Sequence, residues 1–197
     1  MPLETFWALL VFAFVASMTP GPNNLMLLAS GVNFGFRRTV PHMLGIATGF
    51  TTLLLAVGFG LGALLHALPA LGLALKVAGG AFLLYLAWQI AFSRSMGNVE
   101  RASHPISFAQ AWSFQWVNPK AWVMSLTAMA VYGNAEQPVL SVLVVTSGFT
   151  LLCFVSVFSW TGFGQLLRGF LADPARLKWF NIVMGLALAL TLVPMLA

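Results

Sequence analysis

The sequence predicts an all-α membrane protein, and three observations support this prediction. Hydrophobic residues make up 60% of the 197 residues and charged residues 7%, against about 45–50% and about 25% in a typical soluble domain. The few charges are separated by apolar stretches long enough to cross a bilayer core of about 30 Å. These stretches are continuously apolar and lack the alternation of a β-barrel strand. Each is therefore expected to be a helix.

Six apolar stretches are long enough to span the bilayer. We expect one transmembrane domain over residues 1–197, inserted as a multi-pass protein. In chain order the spans are Thr5–Ser30, Val40–Leu65, Leu71–Phe92, Phe108–Tyr132, Val139–Leu166 and Trp179–Leu196. The breaks between them fall at Gly35-Phe36-Arg37-Arg38, Pro69, Gly97-Asn98, Gly133-Asn134 and Asp173-Pro174.

Basic residues lie in alternate loops, which predicts the orientation. Cytoplasmic loops carry an excess of Lys and Arg, so both termini should face the periplasm or exterior of a bacterial inner membrane. The net charge of +5 then reflects topology, and we expect no nucleic-acid partner. The basic loop residues are Arg37 and Arg38, Arg94 and Arg101, and Arg168, Arg176 and Lys178.

The two halves of the chain echo each other. Pro22-Asn23-Asn24-Leu25-Met26 lies in the first span, and Pro119-Lys120-Ala121-Trp122-Val123-Met124 lies in the fourth. Because three spans is an odd number, the second triplet must enter the membrane from the opposite side. The sequence therefore predicts a three-plus-three inverted repeat, as in many secondary transporters, with halves of approximately 1–97 and 98–197.

The segment from Pro20 to Asn24 should break the first span. Pro20 and Pro22 remove backbone donors, and Gly21 adds flexibility. Unsatisfied backbone groups cost several kcal/mol each in hydrocarbon, so the break should face protein or a wet cavity. The amides that begin the next half-helix attract a carboxylate, and the freed carbonyls can accept from an ammonium group. This suits an amino acid; a simple proline kink is the alternative.

The segment Asn118-Pro119-Lys120 should break the fourth span in the same way. Lys120 is an ionisable residue inside an apolar span, which makes it a functional candidate. It could pair with a substrate carboxylate or change protonation, or it could snorkel to an interface. The predicted translocation site comprises Pro20, Gly21, Pro22, Asn23, Asn24, Asn118, Pro119 and Lys120.

The sequence offers no sign of an enzyme. No Gly-x-Ser-x-Gly, His-Glu-x-x-His or phosphate-loop pattern occurs, so catalytic residues are not expected. His42, His66 and His104 are far apart and have no Cys, Asp or Glu at ligand spacing. We therefore predict neither a metal nor a cofactor. Cys153 lies in an apolar run and is expected to be a small packing residue.

The motifs resemble those of the LysE/RhtB family of amino-acid exporters. The resemblance implies export of amino acids or their derivatives from the bacterial cytoplasm, driven by the membrane potential or a proton gradient. It rests on Met18-Thr19-Pro20-Gly21-Pro22-Asn23-Asn24, Gly31, Gly35-Phe36-Arg37, Gly45-x-x-x-Gly49, the run from Lys76 to Trp88, and Asn118-Pro119-Lys120-Ala121.

The placement of acidic residues narrows the expected substrate. Exporters of lysine and arginine in this family carry acids within their spans, including one shortly after the Asn-Pro element. Here Ala121-Trp122-Val123-Met124-Ser125 holds none, so a neutral cargo of the homoserine, threonine, cysteine or O-acetylserine type is favoured. Proton coupling would then fall to Lys120 or a water chain. The four acids, Glu4, Glu100, Glu136 and Asp173, map to loops or ends.

Four other expectations stay open at this stage. A passive amino-acid channel and a non-transporting membrane scaffold are the alternatives to a transporter. Gly45 and Gly49, like Gly58 and Gly62, are spaced for close helix packing. These glycines permit a homodimer without requiring it.

Overall fold

The computed structural model describes residues 1–67, 69–93 and 104–193, which are helical over most of their length and contain no strand. The all-α prediction is confirmed. The helices are α1 (Leu3–Met18), α2 (Pro22–Phe34), α3 (Phe36–Ala56), α4 (Gly62–Ala67), α5 (Pro69–Ala91), α6 (Phe108–Val117), α7 (Pro119–Tyr132), α8 (Pro138–Leu167) and α9 (Pro174–Leu190). A π-helical turn (Val57–Leu61) joins α3 to α4, and a 3₁₀ turn (Phe170–Ala172) precedes α9.

Every predicted span coincides with a helix or a pair of helices, although the number of membrane crossings is only partly supported. Among the described residues, three helical stretches are long and apolar enough to cross: Phe36–Leu61, Gly72–Ala91 and Pro138–Leu167. Helices α1 and α2 form a fourth if the bent pair counts as one span. The six-span count stays a prediction, and Arg94, Arg101, Glu100, the repeat boundary at 97/98 and the last residues of the sixth span lie outside the described residues.

Five of the helices begin at a proline. Pro22, Pro119, Pro138 and Pro174 each occupy the first turn, where the missing N–H has no helical partner to lose. The side chain of Asp173 accepts hydrogen bonds from Ala175 N and Arg176 N. This cap is why α9 begins several residues before the predicted start of the sixth span.

Helices α3 and α8 form the centre of the bundle. They pack against each other, α3 also packs along α6, and α8 packs along α1 and α2. A Cβ on Gly45 would lie 2.4 Å from Phe108 O, and one on Gly49 would lie 2.8 Å from Trp112 O. The close packing predicted for this pair is confirmed, since only glycine lets the two backbones approach so nearly.

At the end of the bundle near the α2–α3 turn, α2 packs closely against α8 and α9, and we call it the closed end. A cavity of about 260 Å³ lies beside this contact, lined by residues of α2, the end of α5 and the segment before α6. Gly31 and Gly164 face each other at the closed end, so that a Cβ on Gly31 would meet Thr161 O at 2.4 Å. The buried amides of Asn33 and Asn181 exchange hydrogen bonds of 2.8 and 3.0 Å. The closed end is therefore held by backbone contact and by a fully paired polar group.

A larger cavity lies at the opposite end. It has a volume of about 530 Å³ and lies between the start of α1, the end of α7 and the start of α8. Its lining includes Thr5, Tyr132, Glu136 and Ser141. We call it the outer cavity.

Replacing Gly31 with alanine should destabilise the closed end. The added methyl group has to push α8 away from α2, and such overpacking costs about 1–3 kcal/mol. The measurement is thermal unfolding of the purified protein in detergent. Gly162→Ala is the matched control, because a Cβ at Gly162 would meet no atom within 4 Å. Equal melting temperatures for the two variants would show that this contact does not tighten the bundle.

Candidate functional site

The first predicted break is present, and it separates α1 from α2. The chain leaves the helix after Met18 and resumes it at Pro22, and the two helices are bent by 56°. Thr19 N still bonds to Val15 O at 3.0 Å, and Leu25 N bonds to Gly21 O at 3.0 Å. The carbonyls between these two bonds lose their helical partners. Pro20 and Pro22 have no N–H to offer to Ala16 O and Met18 O, and Ser17 O and Thr19 O lose theirs because the chain leaves the helix here.

Side chains supply the missing donors to two of these carbonyls. Asn24 Nδ2 donates to Ser17 O at 2.8 Å and to Thr19 O at 2.9 Å. Ser156 Oγ, from the middle of α8, donates to Ser17 O at 2.8 Å. Lys120 Nζ, from the start of α7, donates to Thr19 O at 2.6 Å. The break is therefore stabilised by three different helices.

Gly21 contributes space for a neighbouring side chain. Its φ of −173° is extended backbone that any residue adopts, so its conformation does not require glycine. A Cβ at this position would lie 2.9 Å from Lys120 Cδ and 3.1 Å from Lys120 Nζ. The absent side chain is what lets Lys120 reach the Thr19 carbonyl.

The second predicted break is also present, between α6 and α7, and it is satisfied mostly from within. The Asn118 side chain, only 2% exposed, accepts from Lys120 N at 3.1 Å and so caps α7. Trp122 Nε1 donates to Trp116 O at 2.8 Å, which covers a carbonyl at the end of α6.

A pair of amides holds the two breaks side by side. Asn23 Nδ2 donates to Gln115 Oε1 at 2.7 Å, and Gln115 Nε2 returns a bond to Asn23 Oδ1 at 3.1 Å. Gln115 is fully buried in the last turns of α6 and also donates to Ala111 O. The start of α2 is thereby fixed to the end of α6.

A cavity of about 40 Å³ lies where the breaks meet. About 10–15 Å³ is enough for a water molecule, so this space is large enough for water but too small for an amino acid. Lys120 is the one charged side chain among its described lining residues. Ser17 lines it too, and the buried Ser17 Oγ has no hydrogen-bond partner among the described residues. The site is compact, and its polar groups come from both breaks.

The structure brings six of the eight predicted residues to this cavity. Pro20 and Pro119 shape the breaks without lining it. Three polar lining residues were missed by the sequence analysis: Ser17, Gln115 and Ser156. Each is a polar residue inside an apolar span, and that is the signal which could have found it. Those that line the cavity are Gly21, Pro22, Asn23, Asn24, Asn118 and Lys120.

The remaining candidates take structural places. Cys153 is buried in the apolar core beside the cavity, as the packing interpretation predicts. His42 is fully buried in α3. Among the described residues, no three His, Cys, Asp or Glu side chains lie close enough to hold a metal ion.

Comparison with known proteins gives a match over nearly the whole chain. The family model described as LysE type translocator matches residues 14–194. No solved structure matches the chain.

Curated relatives match over a similar length. Proteins named cysteine/O-acetylserine efflux protein from Escherichia coli strain K12 and Shigella sonnei strain Ss046 are 31% identical over 192 residues, which covers 94% of this chain and 93% of each relative. A protein of the same name from Escherichia coli O1:K1 matches to the same extent.

Replacing Asn24 with aspartate should destabilise the first break. The new side chain has the same shape, but its carboxylate has no donor for Ser17 O and Thr19 O and faces them with like charge. We expect a loss of about 1–3 kcal/mol for the buried acceptors left unpaired, measured by thermal unfolding in detergent. Asn134→Asp, in the exposed turn before α8, is the control. An Asn24→Asp variant as stable as that control would show that the Asn24 bonds do not hold the break.

Proposed function

Because the chain belongs to the LysE type translocator family, we propose that it exports neutral amino acids or their derivatives from the bacterial cytoplasm. Family and relatives support an amino-acid exporter of the inner membrane and not an enzyme. The observation that carries the proposal is the meeting of two broken helices at one polar cavity. Broken helices that meet in this way are the usual binding elements of secondary transporters.

The charge of the cavity supports a neutral cargo. None of its described lining residues is acidic, and Glu4, Glu136 and Asp173 lie at helix ends or in a turn. A basic side chain would lose its hydration in the cavity without gaining a carboxylate partner. The relatives named for cysteine and O-acetylserine support the same class, and we place homoserine and threonine in it as further candidates.

The two breaks offer complementary groups to an amino acid. The start of α2 presents backbone N–H groups after Pro22, which favour a carboxylate. Lys120 is the cationic partner for that carboxylate, and the freed carbonyls of α1 accept from an ammonium group. Asn23, Asn24 and Asn118 position these elements through the hydrogen bonds described above.

Corresponding helices pack in corresponding ways, which supports the inverted repeat. In that repeat α1 corresponds to α6, α2 to α7, α3 to α8 and α5 to α9. The contact of α3 with α6 then matches that of α8 with α1, and α3 and α5 each pack against their own counterparts. The match is incomplete, because α2 packs extensively on α8 whereas α7 touches α3 only lightly.

This asymmetry defines the state of the transporter. With both termini outside, the closed end faces the cytoplasm and the outer cavity faces the exterior. Loading from the cytoplasm then requires α2 to part from α8, which breaks the Gly31–Gly164 contact and the Asn33–Asn181 pair. Export is driven by a proton gradient or the membrane potential. Lys120 or a water chain is the candidate carrier of protons, and a homodimer remains a prediction.

Substitutions at the cavity should abolish export. We expect Asn24→Ala, Asn118→Ala and Lys120→Ala each to lower export about tenfold or more, since each removes a buried or charge-assisted hydrogen bond. The assay is accumulation of labelled cysteine or O-acetylserine by energised inside-out vesicles. Gly162→Ala should transport normally, and immunoblots should show equal protein in all membranes. Full transport by all three variants would contradict the assignment of these residues to the transport site.

The same vesicles separate the transporter from its alternatives. A secondary transporter concentrates its substrate above the bath level and loses this gradient when an uncoupler is added. A passive channel only equilibrates the substrate. A scaffold leaves the internal level at that of vesicles lacking the protein. Concentrative, uncoupler-sensitive uptake is the expected result.

A further inference from the structure

The Lys120 ammonium group donates a hydrogen bond to the same carbonyl oxygen that the ammonium group of an amino-acid substrate would be expected to use. Lys120 Nζ lies 2.6 Å from Thr19 O, across the boundary between the two halves of the chain. Asn24 Nδ2 lies 2.9 Å from the same oxygen. A carbonyl oxygen has two lone pairs, so Thr19 O has no place left for a third donor.

An incoming α-ammonium group must therefore displace one of these donors. Asn24 is buried and donates to both Ser17 O and Thr19 O, so it cannot leave without breaking two hydrogen bonds. Lys120 has a long side chain, and its Nζ has no second hydrogen-bond partner among the described residues. Its ammonium has the same charge and hydrogen-bonding chemistry as the substrate group. Lys120 is thus the donor that can be exchanged.

The space around Lys120 also indicates that Lys120 is the donor that moves. The cavity of about 40 Å³ is too small for an amino acid, and the lysine side chain runs through the room left by Gly21, with Cδ 2.9 Å from an added Cβ. Moving this side chain aside would enlarge the cavity at the point where the two breaks meet.

The displaced ammonium group then needs an anion. None of the described residues lining the cavity is acidic, so the protein itself does not supply one there. The α-carboxylate of the substrate does. The unpartnered Ser17 Oγ offers a further hydrogen bond at the same place.

We propose that the substrate inserts as a zwitterion into the Lys120–Thr19 hydrogen bond, with its ammonium group on Thr19 O and its carboxylate on Lys120 Nζ. Lys120 acts as a built-in substitute for the substrate ammonium when the site is empty. This inference rests on the proposed export function and specifies how that site selects its cargo. Binding in this way requires a substrate with its ammonium and carboxylate groups on the same carbon. It places few demands on the substrate side chain.

The test uses three matched ligands. O-acetylserine carries both charges, N-acetylserine is its isomer without an ammonium group, and O-acetylethanolamine is the analogue without a carboxylate. Each competes with labelled cysteine for uptake into energised inside-out vesicles containing the full-length protein. We expect the last two to compete about tenfold or more weakly than O-acetylserine, because each lacks one charge-assisted bond.

Lys120→Met gives the second arm, read by ligand-induced thermal stabilisation of the purified protein, which needs no transport. The variant should bind O-acetylserine about tenfold more weakly and lose the preference for O-acetylserine over O-acetylethanolamine. Its preference over N-acetylserine should persist, because Thr19 O is unchanged. If Lys120 were only structural, all three ligands would weaken by the same factor.

The outcomes separate the two proposals. If the wild-type vesicles accumulate cysteine but N-acetylserine competes as well as O-acetylserine, the insertion model is overturned and the export function stands. If the vesicles accumulate neither cysteine nor O-acetylserine above the bath level, the export function itself fails. The wild-type competition needs no variant, so it decides even if Lys120→Met does not fold.

Discussion

The structure depends on how it satisfies the carbonyls that the first break leaves without helical partners. In hydrocarbon each such group costs several kcal/mol if unpaired. Here Ser17 O and Thr19 O receive donors from α2, α7 and α8, through Asn24, Lys120 and Ser156. Helices from both halves of the chain must therefore converge on the same few atoms. The central placement of α8 and the side-by-side position of the breaks both follow from this constraint.

The same constraint explains why a transport site can also be a structural joint. Groups able to satisfy a carbonyl are donors, and donors are what an amino acid presents through its ammonium group. The site must therefore exchange a donor of the protein for the ammonium group of the substrate without leaving a carbonyl oxygen unpaired. Asn24 is anchored by two carbonyls and stays in place, whereas Lys120 holds only one. At Thr19 O, Asn24 thus provides the stable hydrogen bond and Lys120 provides the one that a substrate can replace.

The sequence could predict the helices and the breaks because both are local properties. Apolar runs define the helices, and prolines at positions 20, 22 and 119 remove particular hydrogen bonds wherever the chain folds. It could not predict which side chains support the breaks, since Ser156 and Gln115 meet them only through helix packing. Gly21 shows the difference well. Its role was assigned to backbone flexibility, but its conformation is ordinary, and what matters is the Lys120 side chain that arrives from 99 positions away.

The two breaks are chemically unequal despite their matching positions. The second is closed by its own neighbours, with Asn118 capping Lys120 N and Trp122 covering Trp116 O. The first borrows donors from the other half of the chain, so its hydrogen bonding changes whenever the halves move. A ligand that replaces Lys120, a donor from the other half of the chain, alters the contact between the halves. A ligand that competes with the Asn118 cap would only unfold the start of α7. The first break is therefore where binding can be coupled to movement.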